Sequence, residues 1–113
     1  MAAPAIGTVV LVRFPFSDLS RSTLRPAVVL ADAGRGDYVL CQITSNPYAD
    51  PDAIEIRDEH FNRGSLHRTS YVRPGKLFTA NDALIVREVG ALKPDIRRAI
   101  VEAIEKILRK SLP

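Results

Sequence analysis

The sequence predicts a mainly β fold with one C-terminal helix (α+β), its strands forming a small, strongly twisted, barrel-like sheet. Short runs rich in β-branched residues, such as VVLVRF and AVVLA, recur through most of the chain, separated by proline, glycine and polar stretches. A single stripe of apolar residues at helical spacing closes it. At 113 residues the chain reads as one domain, 1–113, with no internal linker, repeat or low-complexity segment. Five or six short strands in so small a domain must curl to protect their edges.

The elements follow in order. Residues 9–14 (VVLVRF) form a strand, and Pro15, which has no N–H to give to a ladder, marks its end. A polar loop over residues 17–24 leads to residues 27–31 (AVVLA), apolar on both faces and therefore a central strand. The segment ADAGRGD turns the chain into a third strand at residues 38–44 (YVLCQIT). After the loop SNPYADPD, residues 53–57 (AIEIR) alternate apolar with charged, as a half-buried strand does. The polar stretch DEHFNRGSLHRT, with a turn at Gly64, separates this from a strand over residues 70–72 and 76–79, interrupted at Pro74–Gly75. Residues 84–89 (LIVREV) read as a last strand in preference to the start of a helical turn. The helix covers residues 92–110: Pro94 and Asp95 suit its first turn, Ile96, Ile100, Ala103, Ile104, Ile107 and Leu108 share one stripe, and Arg109 and Lys110 lie at its negative end.

Composition narrows the function. The 46% apolar and 26% charged content is that of an ordinary globule, and no apolar run approaches the roughly 18 residues that cross a bilayer. The N-terminus, MAAPAIG, lacks the charged region of a signal peptide, and the lone Cys41 allows no disulfide within the chain. A cytoplasmic location is expected. Cys41 sits inside VLCQI and reads as a small core residue. Net charge is only +3, yet twelve of the sixteen basic residues are arginine, whose planar fork matches a phosphate. That composition permits nucleic-acid binding, and a GC-rich coding sequence also produces it.

There is no glycine-rich phosphate loop and no cysteine pair. His60 and His67, seven apart, make no metal-ligand cluster, and the serines lack the partners of an acyl-transfer triad. What remains are polar residues at strand ends: Arg25 beside Pro26, Thr44–Ser45, and Arg73 beside Pro74. A neighbouring proline restricts the arginine's backbone and helps to aim its side chain. Cleaving RNA without a metal requires a base, an acid and donors for the charge that builds on phosphorus, and arginine and hydroxyl groups serve the last need. At strand ends, Arg25 and Thr44 are expected to tolerate alanine with little loss of stability.

The succession GTVVLVRFPFSDLSRSTLRPAVVL, LCQITSN and SYVRPGKLFTAND, followed by the amphipathic helix, resembles the MazF/PemK family of toxins from type II toxin–antitoxin systems. The likeness runs from about Ile6 to Leu108. It implies an SH3-like (PemK-like) barrel, a homodimer, and a sequence-specific endoribonuclease needing no metal or other cofactor. Such an enzyme cuts single-stranded RNA to a 2′,3′-cyclic phosphate and a 5′-hydroxyl. The resemblance places the catalytic roles on Arg25 and Thr44, with Ser45 as helper and Arg73 as a phosphate contact or proton-transfer participant. It makes the 17–24 loop one wall of an RNA groove. Substrate contacts are then expected from Phe16, Ser17, Asp18, Arg21, Tyr48 and His67, the aromatic rings as stacking platforms. Phe61 is a further stacking candidate. Gly75 stands where some relatives carry a proposed catalytic aspartate, two residues after the V-R arginine. The expected partner is a cognate antitoxin with a disordered, acidic segment that folds onto the groove's cations, and DNA would be met only through that antitoxin. The alternative is a non-enzymatic inhibitor of gyrase on the same barrel, similar to the CcdB family.

Overall fold

The computed structural model describes residues 3–15 and 22–113. Its elements are β1 (Thr8–Pro15), β2 (Ser22–Gly34), β3 (Asp37–Thr44), β4 (Ile54–Ile56), β5 (Phe61–Gly64), β6 (Ser70–Asn81), β7 (Ile85–Leu92) and α1 (Pro94–Arg109), with 3-10 turns at Asp58–His60 and Asp82–Leu84. All strand pairs are antiparallel, in the order β4-β6-β3-β2-β1-β7-β5. The strands therefore number seven among the described residues, against the five or six read from the sequence.

Alternation explains the core. Val9, Val28 and Cys41 contribute to one apolar cluster while their neighbours Val10, Val29 and Leu40 contribute to a second, so the central strands bury both faces. The first cluster also takes Ile56 from β4, Phe61 from β5, and Ile100 and Ile104 from α1.

The sheet curls but is not closed, since β4 and β5 sit at opposite edges of the strand order. A flat sheet of this size would hold its outer strands about 29 Å apart at the usual interstrand spacing. Yet Ile56 ends β4 and Phe61 begins β5, and a linker of that length reaches at most about 18 Å. The short 3-10 linker thus forces the two edges towards each other around the first cluster.

Three sequence expectations are revised here. β2 begins at Ser22, inside the stretch assigned to the polar loop. Residues 61–64, assigned to the same polar stretch as the turn at Gly64, pair with β7 as β5. β6 runs through Pro74–Gly75 as one strand, the interruption surviving as a bulge: Cys41 pairs with Leu77, and Ile43 already pairs with Val72. Pro74 is fully buried in that bulge, and the Cys41 thiol donates to the Arg73 carbonyl at 2.9 Å. The thiol is thereby kept protonated, burial pushing its pKa up to about 12.

Candidate active site

The site originates where two neighbouring strands part. β2 and β3 stay paired as far as Ala27 and Gln42, and Pro26, the next residue of β2, has no N–H with which to continue the ladder. From there β2 pairs only with β1, Arg25 lying opposite Val12, while Ile43 and Thr44 of β3 pair with β6. The divergence opens a cleft of about 280 Å³. Arg25 enters from β2, Thr44 and Ser45 from the end of β3, and Arg68 and Ser70 from the approach to β6 and its first residue. Leu11, Leu24, Pro26, Ile43 and Leu66 line the apolar part, and Tyr48 completes the rim with 62% of its surface exposed.

Local hydrogen bonds shape the rim. The Asn46 amide donates to Thr44 Oγ1 at 3.1 Å, and the Tyr48 amide donates to Asn46 Oδ1 at 2.9 Å. These bonds hold a tight turn in which Tyr48 and Ala49 both take left-handed backbone, with φ of 53° and 57°. Such residues cost on the order of 1–3 kcal/mol each, so the turn persists because its surroundings over-determine it. Since Thr44 Oγ1 accepts from Asn46, its own O–H is left to donate elsewhere. Thr44 ends β3, as expected, but it is only 9% exposed, which corrects the expectation that alanine there costs little stability.

Arg73 does not line the cleft. Its Nε donates to Asp50 Oδ2 at 3.0 Å, and its guanidinium lies 5.6 Å from the centre of the Tyr48 ring. Asp50 also accepts from the Asp52 amide. The Arg73 hydrogen bond, supported by that amide, holds the Asp50 carboxyl below its ordinary range. Arg73 therefore braces the turn that presents Tyr48. Gly75, on the same bulge, has open space around a notional Cβ.

His67 lies in a separate pocket with Arg57, Asp58, Glu59, Arg68 and Thr69, so Arg68 alone is common to both. His60 is structural: its Nδ1 accepts the Arg57 amide at 2.9 Å within the 3-10 turn. Phe61 is buried core, not a stacking platform. Phe16, Ser17, Asp18 and Arg21 lie outside the described residues. Arg68 and Ser70 were not singled out from the sequence. Their only signal was an arginine two residues before a strand, in a stretch whose path depends on β5.

A cleft with two guanidinium groups and hydroxyls, and no carboxylate among its described lining residues, suits a polyanion. Together with an open antiparallel curl capped by one helix, it defines a small, all-antiparallel β fold with an arginine-lined cleft. Residues 5–108 match the PemK-like, MazF-like toxins of type II toxin–antitoxin systems, and the chain belongs to that family. Among solved structures, a MazE–MazF complex from Deinococcus radiodurans superposes with a TM-score of 0.77 at 17% identity, covering 98% of this chain and 100% of the other. An endoribonuclease in complex with its cognate antitoxin, from a mycobacterial species, gives 0.74 at 17% identity with 100% of both chains covered. The Mycobacterium tuberculosis toxin MazF-mt6 gives 0.69 at 17% identity, with 89% and 95% covered. No curated protein sequence matches the chain.

Proposed function

We propose that this toxin is an endoribonuclease that cuts single-stranded RNA in the cytoplasm and that a cognate antitoxin neutralises it. The observation carrying this reading is that Arg25 and Thr44, from strands that diverge at Pro26, line one cleft. In the reaction, the 2′-oxygen forms a bond to the adjacent phosphorus as its proton leaves. The bond from phosphorus to the 5′-oxygen breaks, and that oxygen gains a proton. The products are a 2′,3′-cyclic phosphate and a 5′-hydroxyl. Arg25 and the Thr44 hydroxyl donate to the phosphoryl oxygens as negative charge builds on them, the kind of interaction that strengthens in the transition state. Ser45 contributes a further donor, Tyr48 offers a face to a splayed base, and Arg73 positions Tyr48.

The same cations would receive the carboxylates of a disordered antitoxin segment. One of the solved relatives is an endoribonuclease bound to its cognate antitoxin, and another is a MazE–MazF complex. A homodimer is part of the reading, supported by the exposed apolar side chains Val101 and Leu108 on α1 and Leu112 just beyond it.

The test is to incubate purified protein with a long unstructured RNA in EDTA and to assay fragments for 5′-hydroxyl and cyclic-phosphate ends. Arg25→Ala should lower cleavage by at least about a hundredfold, the usual scale for losing one transition-state donor. Intact RNA together with co-purifying gyrase would replace this reading with the non-enzymatic one.

A further inference from the structure

The pocket that holds His67 takes no part in the chemistry above, yet its position and its charges give it a use. It encloses about 320 Å³ between the 3-10 turn Asp58–His60 and the loop that enters β6. It adjoins the cleft through Arg68, which lines both. Its walls are held in place beforehand. Ser65 Oγ donates to Asp58 Oδ1, and the His67 amide donates to Ser65 Oγ at 2.7 Å, so a two-bond relay ties the His67 loop to the 3-10 turn. His67 keeps a left-handed backbone, with φ of 60°. Preorganised walls lower the ordering cost of binding.

The charges discriminate between occupants. The Arg68 guanidinium and the Glu59 carboxylate share this pocket without forming an ion pair, and among the described residues the Glu59 side chain has no hydrogen-bond partner. A carboxylate repels a phosphate and an acidic peptide. It accepts readily from a base edge that presents two adjacent N–H donors, and guanine's Watson–Crick edge, with N1–H beside N2–H, is such an edge. Adenine and cytosine place a ring acceptor beside their amino group, and uracil flanks its single N–H with carbonyls. Sequence-specific readout of single-stranded RNA works through edges of this kind.

We propose that this pocket is a base-reading subsite of the RNA groove, in which Glu59 selects guanine and Arg68 holds the phosphate between that nucleotide and the cut. The inference rests on the ribonuclease reading. His67, which also lines the pocket, would supply an imidazole face for the selected base to stack on.

The experiment digests a random-sequence RNA pool and sequences the 5′-hydroxyl ends. It compares the wild type with Glu59→Gln, Glu59→Ala, Arg68→Ala and the helix control Glu105→Gln. The wild type should show guanine at one fixed position relative to the cut. Both Glu59 variants should reduce that preference about tenfold or more, matching the ~1–3 kcal/mol discrimination of a good bidentate base contact. Arg68→Ala should raise KM for long RNA more than it lowers kcat, and Glu105→Gln should leave the preference unchanged. A wild type that cuts with no fixed guanine, or Glu59 variants whose base preference equals that of the wild type, would overturn the subsite. A wild type that leaves the pool intact sinks the ribonuclease reading itself, before any variant is compared.

Discussion

Thr44 ties down a turn while its side chain also lines the cleft. Its oxygen caps the Asn46 amide, and its hydrogen remains for the cleft. Thr44→Ala should therefore lose cleavage by orders of magnitude and also lower stability by about 1 kcal/mol, the usual worth of one hydrogen bond, read as a small drop in Tm. Arg73 makes the contrasting case. It contacts Asp50 and the Tyr48 ring and does not line the cleft, so Arg73→Ala should raise KM for RNA more than it lowers kcat. A Tyr48→Ala variant should show the same split, and adding Arg73→Ala to it should change little further. Gly75→Asp places a carboxylate where some relatives have one, and a Cβ there meets nothing. The variant should fold with unchanged Tm, and comparing its cleavage rate with wild type tests whether that carboxylate serves as a base on this scaffold.

Among the elements, β5 depends on glycine more than any other. Gly64 has φ of +72°, and a Cβ on it would stand 2.1 Å from the Val89 carbonyl oxygen of β7. Gly90, its partner in the pairing, leaves no room either, with the Arg63 carbonyl oxygen at 2.8 Å from a notional Cβ. Gly64→Ala should destabilise the protein by more than about 2 kcal/mol, because it combines a disfavoured backbone with a backbone clash. Denaturant unfolding would measure this, and a variant as stable as wild type would mean that β5 does not pack as described. α1 behaves differently. Ile100 and Ile104 are buried, whereas Leu108 of the same stripe is 62% exposed, so the stripe outruns the surface it covers.

For the whole molecule, two titrating groups set opposite limits on the pH range of stability. The Asp50 carboxyl, depressed chiefly by Arg73, favours the folded state above the ordinary carboxylate pKa of about 4 and loses that contribution as pH falls through its folded value. The Cys41 thiol is raised to about 12. Its contribution is present below the unfolded thiol pKa of about 8.5 and is lost as pH rises from there towards the folded value. Thermal melts against pH should accordingly fall off on both sides, and Asp50→Asn should flatten the acidic side selectively. At pH 8 the thiol should resist iodoacetamide in the folded protein and react at once in denaturant.

The strand-rich class, the central place of residues 27–31, the helix with its first-turn proline and the core position of Cys41 could all be read from the letters alone. Each of these depends on local composition or periodicity, which neighbours along the chain decide. Arg25, Thr44, Ser45 and Tyr48, singled out through the R-P and I-T-S motifs and an aromatic in a loop, line one cleft. Tertiary structure decided the rest. β5 could not be read from FNRG because its pairing requires Gly90, distant in sequence, at contact distance. Arg73 pairs with Asp50, 23 residues earlier in the chain, and not with the cleft, a contact that its own flanking letters do not specify. Arg68 acquired its place between two pockets only when the 3-10 linker drew the sheet edges together, since a loop residue's neighbours follow from the curl of the whole sheet and not from its own flanking letters.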